Sequence, residues 1–386
     1  MKSFTYAYPV KVVFSDNSIE EKLPELLKNV GLKVMFAYGK GAIKKTGIYD
    51  RVLKVLKETG KEIVEFSGIM SNPTYEKVLE GAKLAKAQKV DFILAVGGGS
   101  VIDCCKIVSA QAKLEGDIWN YEYQEKKKPD TFIPLGCIVT AFGTGAEMNN
   151  GAVITNENKK LKAPLWGAYY DFALLDPALT MTMPLSLVVS GAFDALSHCM
   201  ETYMGTPRES NISDEINETV QRNIIRNLRK TLKNPQDLEA RSELVWDAAM
   251  AENGILKLGK VTDFQCHMLE HQLGAYTDCN HGQGLAVIHP VLYRHMLDEA
   301  KAQFSRLAVS VWHVDKEGKS EKELALAFVE ALENFIKECS LPTSFTQMGI
   351  AKDTDFKAIA KSTFKMKGCA KQFTEDELLE ILKECL

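Results

Sequence analysis

The stretch Phe92-Ile-Leu-Ala-Val96-Gly97-Gly98-Gly99-Ser100 decides the fold. Its apolar run reads as a strand buried on both faces, and it passes without a spacer into three glycines and a helical pattern over Val101–Leu114. Strand, glycines, helix is an anion-binding arrangement. Without Cβ atoms the backbone can close on a phosphate, and the free N–H groups at the helix start favour negative charge. The spacing is not G-x-G-x-x-G, and three adjacent glycines fit a tight turn equally well.

A second turn, Thr140-Ala-Phe-Gly-Thr144-Gly145, follows the apolar strand Phe132–Val139, and a third, Gly39-Lys40-Gly41, follows Lys33–Ala37. Parallel strands present their carboxyl ends at one edge, so the three turns would line one nucleotide site. Glu62–Phe66 reads as a further strand and Tyr75–Gln88 as a helix, and this alternation marks βαβ units. The opening MKSFTYAYPVKVVFSD alternates like a strand as well. From Pro184 onward strands nearly vanish. Helical periodicity fills Leu185–Met204, Asp214–Leu232, Leu238–Asn253, Asp263–Ala275, Ala300–Val311 and Glu321–Cys339. The reading is an α/β domain with a parallel, Rossmann-like sheet over residues 1–183 and an all-α domain over residues 184–386.

A chain of 386 residues suits two domains, each with its own core. A net charge of −4 provides no electrostatic footprint for nucleic acid or an acidic membrane. No apolar run approaches the roughly 20 residues that span a bilayer, and the start lacks the sections of a secretory signal. A cytoplasmic protein is expected. The nine cysteines include no Cys-x-x-Cys pair, so they are expected as reduced thiols rather than disulfides or a thiolate zinc site.

Asp194 and His198 lie four apart in a segment without a helix breaker after Gly191, so they share a helix face. His267, His271 and His281 lie close together in a chain with only seven histidines, and His267 and His271 share a face in turn. His281 opens His281-Gly-Gln-Gly284, where the glycines suggest a tight approach. These are five candidates for a four-ligand site. Imidazoles with one carboxylate suit Fe²⁺ or Zn²⁺, whereas Cu⁺ prefers thiolates and Ca²⁺ needs more oxygens. For His289, His295 and His313 a packing or surface role is expected.

With these residues in view, the chain resembles the iron-containing alcohol dehydrogenases, and among them the butanol dehydrogenase-like branch. Ala173-Leu-Leu-Asp176-Pro, Pro184, Gly191, Asp194-Ala-Leu-Ser-His198 and Glu201 are similar to one signature of that family. His267-Met-Leu-Glu-His271, Gly274 and His281-Gly-Gln-Gly284 are similar to a second. The resemblance implies an N-terminal domain binding NAD(P), a helical domain carrying a metal, a cleft between them as in dehydroquinate synthase-like architectures, and a homodimer. It implies the metal ligands Asp194, His198, His267 and His281, with His271 as proton relay; a weak fifth ligand is the other reading of His271. The pyrophosphate would lie on Gly97, Gly98, Gly99 and Ser100 with Asp103 nearby. Thr140 and Thr144 would line the cofactor, Lys160 would approach its phosphates and Leu179 its nicotinamide. Relatives that prefer NAD often carry Asp where Lys40 stands, so the cation here favours NADP over NAD.

Primary alcohols or their aldehydes are the expected substrates. Phe142, Met148, Phe264 and Trp166 fit an apolar substrate pocket or the core equally. A dehydroquinate synthase-like lyase would need many Arg and Lys residues around the metal, and the motif helices supply Phe193, Leu196 and Leu269 instead. A metal-stapled binding module would need no relay histidine.

Overall fold

The computed structural model describes residues 2–386. It contains two compact units. One runs from Ala7 to Pro184; the other runs from Leu185 to Leu386 and includes the segment ending at Tyr6.

The first unit is built on strands β1 (Lys11–Phe14), β2 (Lys33–Gly39), β3 (Glu62–Ile69), β4 (Phe92–Gly97), β5 (Leu135–Val139) and β8 (Phe172–Leu175). Their order is β1-β8-β5-β4-β2-β3 and every pairing is parallel. β4 and β5 are buried along their whole length, which is why their sequences are apolar without alternation. Val34, Phe36 and Tyr38 of β2 and Phe92, Leu94 and Val96 of β4 join one core with Val52, Val55 and Leu56 of helix α1 (Ile48–Glu58). Helix α2 (Tyr75–Gln88) packs on α3 (Gly99–Lys113), which follows β4 directly.

The sheet turns around between β2 and β4, because the chain leaves β2 for the outer strand β3 and leaves β4 in the opposite direction for β5. Open α/β sheets bind ligands beyond the carboxyl ends of the strands at such a point. The turns Gly39–Gly41 and Gly97–Ser100 flank it.

Two features of this unit differ from the sequence expectation in kind. The alternating start is a strand only over Lys11–Phe14, where it pairs with β8. An antiparallel hairpin, β6 (Gly151–Asn156) and β7 (Leu161–Trp166), interrupts the βαβ pattern and packs on α3. Its turn ends at Lys160, which has a left-handed backbone with φ 47°.

The second unit is helical: α4 (Leu185–Tyr203), α5 (Ile212–Lys233), α6 (Leu238–Glu252), α7 (Gln265–Thr277), α8 (His281–His295), α9 (Leu297–Ser310) and α10 (Glu321–Glu338). α4 packs against α5, α6 and α8. Helix α5 begins before the expected Asp214 because Asn211 and Asp214 form a capping box. Helix α7 begins after the expected Asp263, whose Oδ1 accepts from Gln265 N at 2.8 Å. Among the described residues no helix is long and apolar enough to cross a membrane.

Candidate metal centre and nucleotide edge

α4, α7 and α8 bring the donor side chains of His198, His267 and His281 together around Asp194. Its Oδ1 lies 3.4 Å from His281 Nε2, 3.5 Å from His267 Nε2 and 3.7 Å from His198 Nε2. These separations are long for hydrogen bonds. The His281 and His267 separations match instead the edges of a tetrahedron, since metal bonds of about 2.0–2.2 Å set ligand atoms roughly 3.3–3.6 Å apart, and His198 lies slightly beyond that range. Asp194, His267 and His281 offer donor atoms within 4.8 Å of one another, while His198 reaches Asp194 from outside that group of three. Asp194 Oδ1 and His267 Nε2 are buried without a hydrogen-bond partner among the described residues. Buried polar atoms left in this way are costly, and a cation would satisfy both. The residues therefore fit a single divalent ion.

The outer nitrogens of two ligands are held by carboxylates. His267 Nδ1 pairs with Glu201 Oε2 on α4, and His281 Nδ1 pairs with Glu270 Oε2 on α7. In a neutral, metal-bound ring each carboxylate would keep the proton on Nδ1 and leave the Nε2 lone pair toward Asp194. Glu201 is fixed in turn, since its Oε1 accepts from Cys266 N at 2.7 Å and His267 N at 3.3 Å. Burial alone would raise Asp194, yet the charges of His198 and His281 hold its carboxyl well below the usual range. Burial alone would lower His267; the Glu201 and Asp194 carboxylates push it up to about 10. Three buried carboxylates around the imidazoles make this region attractive to a cation.

Gly282 explains the glycines after His281. A Cβ there would sit 2.3 Å from the Ser190 carbonyl oxygen, so only glycine lets α8 start this close to α4. Asn280 caps that start, accepting from Gln283 N at 3.1 Å and from Ser190 Oγ at 2.5 Å. His271 lies one turn beyond His267, buried, with its ring centroid 5.4 Å from that of His281. His289 is buried behind the centre, with Nε2 2.6 Å from Ser197 Oγ, and burial lowers its pKa to about 4.

In the α/β unit Gly97 ends β4, Gly98 caps α3 and Gly99 opens it. A Cβ on Gly99 would meet Thr144 Oγ1 at 2.3 Å, so the two turns rest on each other. Thr140 N donates to Gly97 O at 2.9 Å across the same gap. Lys40 is exposed just beyond β2. Asp103 is engaged inward: Oδ2 accepts from Val153 N at 2.9 Å, and Lys106 lies 3.8 Å away. Leu179 is a core residue at 4% exposure. Of the apolar candidates, Met148 accepts from Tyr8 Oη at 2.9 Å and Trp166 lies under Lys128 at 3.7 Å.

Glu201 and Glu270 were not legible as partners of the ligands. Glu201 appeared only as part of a motif, and Glu270, beside His271 in sequence, serves His281 on the next helix.

A parallel sheet with a glycine-rich helix start, and a helical unit where three histidines approach one aspartate, form a design suited to a nucleotide and a divalent ion. Comparison with known proteins resolves the class further. The iron-containing alcohol dehydrogenase family matches residues 9–177, and the C-terminal domain of the Fe-containing alcohol dehydrogenase family matches residues 188–386. The chain belongs to the iron-containing alcohol dehydrogenase family. It is 36% identical, over 100% of both chains, to a probable NADH-dependent butanol dehydrogenase 1 of Bacillus subtilis (strain 168). It is 34% identical to the NADPH-dependent aldehyde reductase YqhD of Escherichia coli (strain K12), over 91% of this chain and 90% of that one. The crystal structure of NADH-dependent butanol dehydrogenase A from Thermotoga maritima superposes with a TM-score of 0.92 at 36% identity, covering 100% of this chain and 99% of the other.

Proposed function

We propose that this protein interconverts primary alcohols and their aldehydes with NAD(P)(H), using one Fe²⁺ or Zn²⁺ ion held by Asp194, His198, His267 and His281. The convergence of three imidazole nitrogens on Asp194 Oδ1 at 3.4–3.7 Å carries this reading. An ion in such a set supplies Lewis acidity to a substrate oxygen. His271 stands beside the ligands without belonging to the group around Asp194, a position suited to passing the alcohol proton onward. Glu201 and Glu270 hold the ligand rings, and the neighbouring apolar side chains Phe193 and Leu196 keep water from the helix interior.

The nucleotide pyrophosphate would bind at Gly97–Ser100, where α3 offers free N–H groups. Thr140 and Thr144 flank it, Leu179 would meet the nicotinamide and Lys160 would approach the phosphates from the hairpin turn. Asp103 would support the site by tying the hairpin to α3. Lys40 would pair with a 2′-phosphate, which favours NADP; the named relatives include both NADH- and NADPH-dependent proteins. All nine cysteines are free thiols and all but Cys279 are buried, which suits a reducing cytoplasm. A homodimer is the proposed working form.

The test is an activity matrix of straight-chain alcohols and aldehydes with NADH and NADPH, after loading Fe²⁺ or Zn²⁺, in wild type and Asp194→Ala. Net formation or loss of reduced nicotinamide in wild type alone supports the reading. Full metal content and turnover in Asp194→Ala would refute the ligand set.

A further inference from the structure

The three imidazoles around Asp194 are not held alike. His267 and His281 each have a carboxylate on Nδ1, whereas His198 Nδ1 is buried without a hydrogen-bond partner among the described residues. What touches the His198 ring is other rings. It stacks on His267 with centroids 4.6 Å apart and planes 19° apart, and the tilted Phe264 ring lies 5.9 Å away at 31°. Phe264 also lies 5.0 Å from His267, so one phenyl ring bears on two ligands.

Phe264 adopts a conformation that aromatic residues rarely take, left-handed with φ 58°. Strain of this kind persists where surrounding structure over-determines it. Here Glu201 does so from both sides: its carbonyl accepts from Asp263 N at 3.2 Å, and its carboxylate accepts from Cys266 N. Lys257 Nζ lies 4.9 Å from the Phe264 centroid and pairs with the buried Glu252 at 2.8 Å. Backbone hydrogen bonds hold the left-handed turn, and the Lys257 cation contacts the ring.

We infer that Phe264 is a positioning residue for the metal centre: its ring fixes the orientation of His198, the ligand that no carboxylate holds. This rests on the metal reading above and extends it to a residue outside the ligand set. Carboxylate partners position by a directional hydrogen bond; a neighbouring tilted ring limits how far the imidazole can tip but leaves rotation in the ring plane softer. His198 should therefore be the most easily displaced of the three imidazoles, consistent with its place outside the tight group of Asp194, His267 and His281.

The experiment measures Zn²⁺ affinity by chelator competition and the visible spectrum of the Co²⁺-loaded protein in wild type, Phe264→Tyr, Phe264→Ala, Phe264→Gly and Asp194→Ala. Losing an outer partner of a metal ligand weakens binding by about 10–100-fold. That loss is expected in Phe264→Ala, with weaker Co²⁺ bands from a less regular tetrahedral field, and rescue is expected in Phe264→Tyr. Phe264→Gly removes the ring but tolerates the left-handed backbone, so it should melt above Phe264→Ala yet bind metal as weakly. Wild-type affinity and spectrum in Phe264→Ala and Phe264→Gly, with metal lost in Asp194→Ala, would overturn the inference alone. Retained metal in Asp194→Ala would overturn the underlying metal reading instead.

Discussion

Glu201→Gln changes charge and hydrogen-bonding pattern while keeping shape, and its effect can be worked out from the contacts of one side chain. Glu201 is 1% exposed. One oxygen accepts from Cys266 N and His267 N, and the other pairs with His267 Nδ1. An amide has only one oxygen. If that oxygen keeps the backbone N–H groups, the amide NH₂ faces His267 Nδ1, and the ring proton must move to Nε2, where it blocks the lone pair directed at Asp194. If the oxygen keeps the ring, the NH₂ opposes two buried N–H donors, at a cost of about 1–3 kcal/mol. Because the metal needs the Nε2 lone pair, binding must adopt the second arrangement and is penalised by that order, which corresponds to about 10–100-fold at 1.4 kcal/mol per decade. Chelator competition with Zn²⁺ reads this directly, and circular dichroism confirms that the fold is kept. Affinity within twofold of wild type would refute the argument, since it would mean that His267 needs no acceptor on Nδ1.

Three further outcomes are expected. His271→Ala should lower turnover by about a hundredfold or more, in the range of general acid–base contributions, with wild-type metal content by elemental analysis; metal loss would reassign His271 as a ligand. Lys40→Asp should reduce kcat/KM for NADPH at least tenfold while sparing NADH, with the difference shrinking at high salt; an unchanged ratio would remove Lys40 from the 2′-phosphate site. Burial, and then the Glu201 charge, push Asp263 up to about 7, above its unfolded range near 3.9. The stability it supports is therefore complete below about pH 4 and lost as pH rises through 7. Asp263→Asn keeps an acceptor for Gln265 N, so its melting temperature should gain on wild type between pH 4 and 7 and then level off. A constant difference across that window would show that Asp263 ionises freely.

The parts of this protein legible in its sequence are those set by local periodicity. β4 was visible because both its faces are buried and it carries no alternation, and Asp194 with His198 because a helical spacing of four puts them on one side. The hairpin Gly151–Trp166 was not visible: its second strand contains Pro164 and its turn is a left-handed lysine rather than a glycine. The carboxylate partners were hidden for a different reason. Glu201 and Glu270 reach rings on other helices, and no spacing along one helix encodes such a contact. Phe264 was ambiguous between pocket and core because its left-handed backbone, which gives the ring its direction, leaves no trace in residue type.

Both units use one local device, and on the proposed reading it would serve opposite charges. Gly99 lets α3 start against Thr144, and Gly282 lets α8 start against Ser190; in each case a glycine removes the Cβ that would hold the helix end away. A helix start carries partial positive charge, which at α3 favours a phosphate by about 0.3–1 kcal/mol or more. At α8 the same field opposes a cation, yet His281, the first residue of that helix, points to the donor group around Asp194. The difference lies in the neighbours. Asn280 caps the α8 amide of Gln283, and Glu270 and Asp194 set two formal charges on the two sides of the His281 ring. Two carboxylates within hydrogen-bonding or ligand distance outweigh a half-charge that falls off within one turn. Glycine placement thus decides only how closely a helix start can approach, and the adjoining carboxylates decide which sign of charge it holds.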